Sequence, residues 1–87
     1  MVYLLVYSNA FGERQEVKDF FSSSPFVNSW RYDLPSSIYL ASDEPASTLG
    51  DHIRAKFPNA RFILTEISGN REGWLPKDTW AFIHDNA

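Results

Sequence analysis

At 87 residues with a net charge of −3, the chain has room for one small domain whose core is limited enough that a second copy would add stability. The absence of cysteine excludes a disulfide scaffold, a thiolate nucleophile and cysteine-ligated zinc. The negative charge sets the whole-molecule field against phosphate, so nucleic acid is disfavoured as a partner unless a local basic patch recruits it. Aromatic residues make up 16% of the chain, more rings than one small core readily hides. A second buried surface is therefore expected, and a homodimer interface is the economical form of it.

In chain order, Val2-Tyr3-Leu4-Leu5-Val6-Tyr7 is an apolar run with the composition of a central strand covered on both faces. It lacks a basic leader and is too short to span a membrane, so it is read as a buried strand of a cytoplasmic protein with no membrane association. Ser8-Asn9-Ala10-Phe11-Gly12 follows as a turn. Val17, Phe20 and Phe21 then form one apolar stripe at helical spacing, and Ser22-Ser23-Ser24-Pro25 ends the helix. The serine run is a helix stop in this reading, since no glycine-framed elbow surrounds it and no histidine is nearby.

Val27-Asn28-Ser29-Trp30-Arg31-Tyr32 and Ile38-Tyr39-Leu40-Ala41 are extended runs joined by the turn chemistry of Asp33-Leu34-Pro35-Ser36-Ser37, which predicts a hairpin. Asp43-Glu44-Pro45 supplies a capping acid and a proline, and Leu49, Ile53 and Phe57 recur at four-residue spacing in a second amphipathic helix. Pro58-Asn59 closes it. Arg61 to Ile67 is the last clear strand, and Pro76 to His84 reads as a short helix, with a strand as the alternative.

The order is β-α-β-β-α-β, the split βαβ or ferredoxin-like α+β arrangement: a four-stranded antiparallel sheet with two helices on one face. A C-terminal helical addition spans about 74–87 within this single domain. Tyr3 or Tyr7, Trp30 or Arg31, and Tyr39 are candidates for the face the helices leave open. That face packs on a second copy, lies under the C-terminal segment, or stacks single-stranded bases through Trp30, Arg31 and Tyr39.

Between the last strand and the C-terminal element lies Ser68-Gly69-Asn70-Arg71-Glu72-Gly73-Trp74-Leu75-Pro76. Gly69 and Gly73 suit positive φ, Pro76 suits a first helical position, and Trp74 and Trp80 need cover. The segment is read first as a clamp that pins the C-terminal element to the sheet. As a ligand loop, its binding residues would be Asn70, Arg71 and Trp74. It has no Lys-Ser/Thr ending of a P-loop, and Glu72 weakens the pull of Arg71 on an anion. His52 and His84 lack the spacing of a metal pair on one helical face and are read as solvated or capping residues. Asp51 and Arg54 fall on one helix face as a surface ion pair of little energetic value.

The apolar first strand ending in Tyr7, the hairpin run Ser36 to Asp43, and above all Glu66-Ile67-Ser68-Gly69-Asn70 with Gly73-Trp74-Leu75-Pro76 and Trp80 resemble small bacterial and phage SinR-like proteins. Those are similar to CRISPR-associated protein 2 and to VapD. The resemblance implies a ferredoxin-like dimer and, for the wider family, a metal-dependent nuclease with an aspartate after the first strand. The matching position here is Ser8, and neither its hydroxyl nor the Asn9 amide replaces a carboxylate toward a hard cation. A non-catalytic homodimeric interaction module with no cofactor is thus the favoured expectation. The alternative is an endoribonuclease or nuclease with Mg or Mn held by Asp33, Glu66, Ser8 and Asn9.

Overall fold

The first apolar run becomes the strand around which the sheet is built. In the computed structural model, which describes residues 1–87, β1 (Val2–Tyr7) pairs antiparallel with β3 (Ser37–Ala41) on one side and β4 (Phe62–Glu66) on the other. The short β2 (Ser29–Arg31) pairs antiparallel with β3 and forms the far edge. The strand order β2-β3-β1-β4 is that of the ferredoxin-like α+β fold. Three helices accompany it: α1 (Arg14–Ser22), α2 (Ala46–Lys56) and α3 (Lys77–Asn86). No helix is long and apolar enough to cross a membrane.

Side-chain alternation along the strands separates two cores. Tyr3 and Leu5 of β1 lie opposite Leu40 and Ile38 of β3, and these four pack with Val17 and Phe21 of α1 and Leu49 and Ile53 of α2. Val2 and Leu4 point the other way. Val2 clusters with Tyr39 and with Ile83 of α3. The C-terminal segment is therefore a helix, and it lies on the face opposite α1 and α2. All five residues of β3 are buried, which is the cost-free position for an apolar strand when helices cover both sides of it.

Aromatic rings close the end of the larger core. Phe11, in a 3₁₀ turn over Asn9–Phe11, stacks on Tyr7 with centroids 4.7 Å apart and on Phe57 at 4.3 Å, and meets Phe62 edge-on at 6.0 Å. Gly12 leaves this turn with φ of 89°, a backbone state available to glycine without penalty. A Cβ there would stand 2.9 Å from Glu16 Oε1. Positive φ occurs at Gly12 and Ser36, not at Gly69 or Gly73 as expected from sequence. The loop after β4 turns without left-handed backbone, whereas the tight exit from the Phe11 plug requires it.

Helix ends also depart from expectation in detail. Pro45, not Asp43, occupies the N-cap position of α2 and no side chain caps it. Asp43 instead accepts a hydrogen bond from Asn28 Nδ2 at 3.4 Å. At the end of α1 the Ser23 hydroxyl donates back to the Asp19 carbonyl at 2.8 Å, a local bond that competes with further helix and helps stop it.

Candidate interaction face

The face carrying α3 is only partly covered. Thr79, in the first turn of α3, is fully buried and accepts a hydrogen bond from Arg31 Nε at 3.0 Å, which ties the helix to the edge strand β2. Ile83 sits over Tyr39 and Val2. Beyond this cover, Val6 and its cross-strand partner Ile63 remain 42% and 63% exposed. They lie on the same face as Leu4 and Tyr39, toward the end of the sheet where the turn carrying Leu34, itself 50% exposed, joins β2 to β3. The strip runs to the free edge of β4, where Thr65 and Glu66 are also exposed. Trp74 is 88% exposed, so the clamp is formed by its neighbours Leu75 and Trp80, which join the smaller core.

Trp30, Arg31 and Tyr39 do not form one platform. Adjacent strand residues point to opposite faces. Trp30 lies on the α1 side, where its indole N–H donates to the Ser22 hydroxyl at 3.0 Å and Lys18 Nζ stands 5.7 Å from the ring centroid. Arg31 and Tyr39 face one another across β2 and β3 on the other side, beneath α3, so no row of free rings remains there for stacked bases. Burial, and secondarily the charge of Asp33, raises the Tyr39 phenol above its ordinary value.

The four candidate metal residues are spread along the sheet. Ser8 terminates β1: its N–H donates to the Arg61 carbonyl at 2.9 Å and its hydroxyl accepts the Arg61 N–H at 3.1 Å. Asn9 is exposed in the 3₁₀ turn. Asp33 lies in the turn between β2 and β3, at the same end as Ser8 but beyond β3. Glu66 faces Tyr3 at the other end of β1, five residues from Ser8 or roughly 16 Å along the strand. No group of three histidine, aspartate or glutamate side chains is placed to hold a metal ion. Glu66 contributes, after burial, to raising the Tyr3 phenol.

One polar pair escaped the sequence reading. The Ser24 hydroxyl lies 2.9 Å from His52 Nε2, and it also accepts the Phe26 N–H at 3.2 Å. Phe20 stacks on the imidazole at 4.6 Å and Phe26 meets it edge-on at 4.9 Å. Burial among these rings lowers the basicity of His52. An open depression of about 350 Å³ beside Phe20 is bordered by Glu16, Asp19, Ser23 and Lys56. The serine run thus does have a histidine partner, brought from α2 across 28 residues of sequence. With the Ser24 oxygen also accepting the Phe26 N–H, the pair is a packed polar contact between α2 and the segment just after α1.

Asn70 and Arg71 lie in the loop after β4, where Arg71 Nη1 donates to the Ser68 carbonyl at 2.9 Å. A pocket of about 160 Å³ opens between this loop, α3 and the sheet. Comparisons with protein-family models, curated proteins and solved structures return no match. The surface of the chain offers an apolar strip on the sheet, no convergence of carboxylates, and a small pocket beside Arg71.

Proposed function

We propose that this chain is a non-catalytic interaction module that works as a homodimer, of the kind suggested by its resemblance to the CRISPR-associated protein 2 and VapD group. The observation that carries the reading is the exposed cross-strand pair Val6 and Ile63 beside the unprotected edge of β4. Exposed apolar surface next to an open strand edge is what a second chain covers. The β4 segment Phe62–Glu66 has no lysine, proline or bulge to blunt that edge.

A second copy fits by symmetry. Antiparallel pairing of β4 with its own copy about Leu64 sets Ile63 opposite Thr65 of the second copy, and both fall on the face carrying Val6. The two strips then join across the twofold axis in an isologous interface. The spread of Ser8, Asp33 and Glu66 along the sheet lends the nuclease alternative no support, since metal-assisted attack on a phosphodiester needs those oxygens on one cation.

Light scattering across a dilution series tests the dimer, with Ile63→Lys as the disrupting variant. Dimers that dissociate on dilution, and at higher concentration in the variant, are expected. A monomer throughout the series ends the proposal. Incubation with structured and single-stranded RNA plus magnesium or manganese tests the non-catalytic half. Cleavage that disappears in Asp33→Ala or Glu66→Ala overturns it.

A further inference from the structure

The pocket beside α3 has the construction of a small-molecule site. Leu4 and Tyr39 form its floor on the sheet, and Trp80 and Ile83 form its helical wall. Its volume of about 160 Å³ is close to that of an apolar cavity of about 150 Å³ able to hold a benzene-sized ring. Its charged residues are Arg71 and Glu72, neighbours on the loop that borders it.

These two residues are adjacent in the chain and opposite in charge, yet they do not pair. Arg71 Nη1 donates to the Ser68 carbonyl at 2.9 Å, and Glu72 Oε1 accepts the Gly73 N–H at 2.9 Å. The acid–base contacts of the molecule are Arg54 with Asp51 and His84 with Asp85. Each loop charge is thus steadied by backbone and held apart from the other. The guanidinium retains further N–H donors and the carboxylate a second oxygen. A simple anion would be attracted by Arg71 and repelled by Glu72, and a simple cation the reverse. A ligand carrying both charges satisfies both.

We propose that this pocket binds a free apolar amino acid, with the side chain against Leu4, Tyr39, Trp80 and Ile83, the α-carboxylate on Arg71 and the α-ammonium on Glu72. Recognition divides as it does in small-ligand sites generally: apolar walls supply contact, and a few fixed polar groups select the head. Because the floor is sheet and the wall is α3, an occupant would also bridge the helix to the strands it covers.

The test is a titration of the full-length, ¹⁵N-labelled protein with L-phenylalanine and L-leucine, following the Trp80 indole resonance and the amides of residues 71–75. Parallel titrations use 3-phenylpropanoate, which lacks the ammonium, 2-phenylethylamine, which lacks the carboxylate, and toluene, which lacks both. Saturable shifts with the amino acids are expected, and each analogue should bind at least roughly tenfold more weakly, as for loss of a charge-assisted hydrogen bond. Arg71→Gln and Glu72→Gln lie on the loop outside both cores, and each should weaken L-phenylalanine to a similar degree while leaving toluene unaffected. The proposal falls if no resonance shifts saturably, if toluene binds as tightly as L-phenylalanine, or if both variants bind it like the parent.

Discussion

His52 Nε2 and the Ser24 hydroxyl stand 2.9 Å apart, joining the middle of α2 to the segment just after α1, with the imidazole held between Phe20 and Phe26. The contact locks the two helices that cover one face of the sheet. It also ties their packing to the protonation state of the ring, since charging the imidazole would place a cation in the partly desolvated space between Phe20 and Phe26.

Stability should consequently fall on acidification through this histidine. Burial holds His52 below its ordinary value of 6.5, so the unfolded chain takes up the proton first. The stabilisation is fully present above that value and is lost as pH falls from it toward the depressed folded value. Urea unfolding on both sides of this range should show the loss in the parent protein. His52→Gln should remove the part of the pH dependence that lies near neutrality.

Docking of α3 rests on few contacts and should be separable from the main core. Ile83→Ala is expected to cost about 2–5 kcal/mol, the usual range for emptying a fully buried aliphatic site. Arg31→Ala removes the bond to Thr79 and should cost about 1–2 kcal/mol. Hydrogen exchange distinguishes local from global effects: Arg31→Ala should speed exchange of α3 amides while those of β1 and β3 keep their protection.

Two turn positions should respond in opposite directions to exchanges involving glycine. Gly12 has φ of 89° and ψ of −157°, a region open essentially only to glycine, so Gly12→Ala should destabilise by about 1–3 kcal/mol. Ser36 has φ of 58°, at a cost of about 1–2 kcal/mol for a residue with a Cβ. Ser36→Gly should relieve this strain, partly offset by the greater freedom of glycine in the unfolded chain, for a net gain of up to about 1 kcal/mol. Thermal or urea denaturation of the two variants checks both signs.

Much of the architecture is legible in the sequence because its apolar spacing is local. Leu49 and Ile53 announce α2, Val17 and Phe21 announce α1, and the unbroken apolar run Val2 to Tyr7 announces a central strand. The division of Trp30 from Arg31 follows from alternation alone. Which of the two faces the first pair of helices does not, because that depends on where α1 and α2 settle. The Ser24–His52 contact was hidden for the same reason, being made by tertiary packing between distant segments. The loop containing Gly69 and Gly73 has the composition of a sharp turn, whereas the positive-φ glycine is Gly12, because the exit from the packed Phe11 turn demands it. The separation of Ser8 from Glu66 is implicit in the strand order, since β1 and β4 are antiparallel neighbours and each residue lies at the C-terminal end of its own strand.

The position of α3 has a consequence for partly opened states of the protein. The pairing of the sheet and its larger core do not involve this helix, so α3 can lift away while the sheet and the first two helices stay assembled. When it does, Val2, Leu4 and Tyr39 face water beside Val6 and Ile63, a bare apolar surface much larger than the docked state presents. A chain in this state is prone to meet another copy through the wrong partners. The helix therefore acts as a cover, reducing an adhesive sheet to the narrow strip that remains.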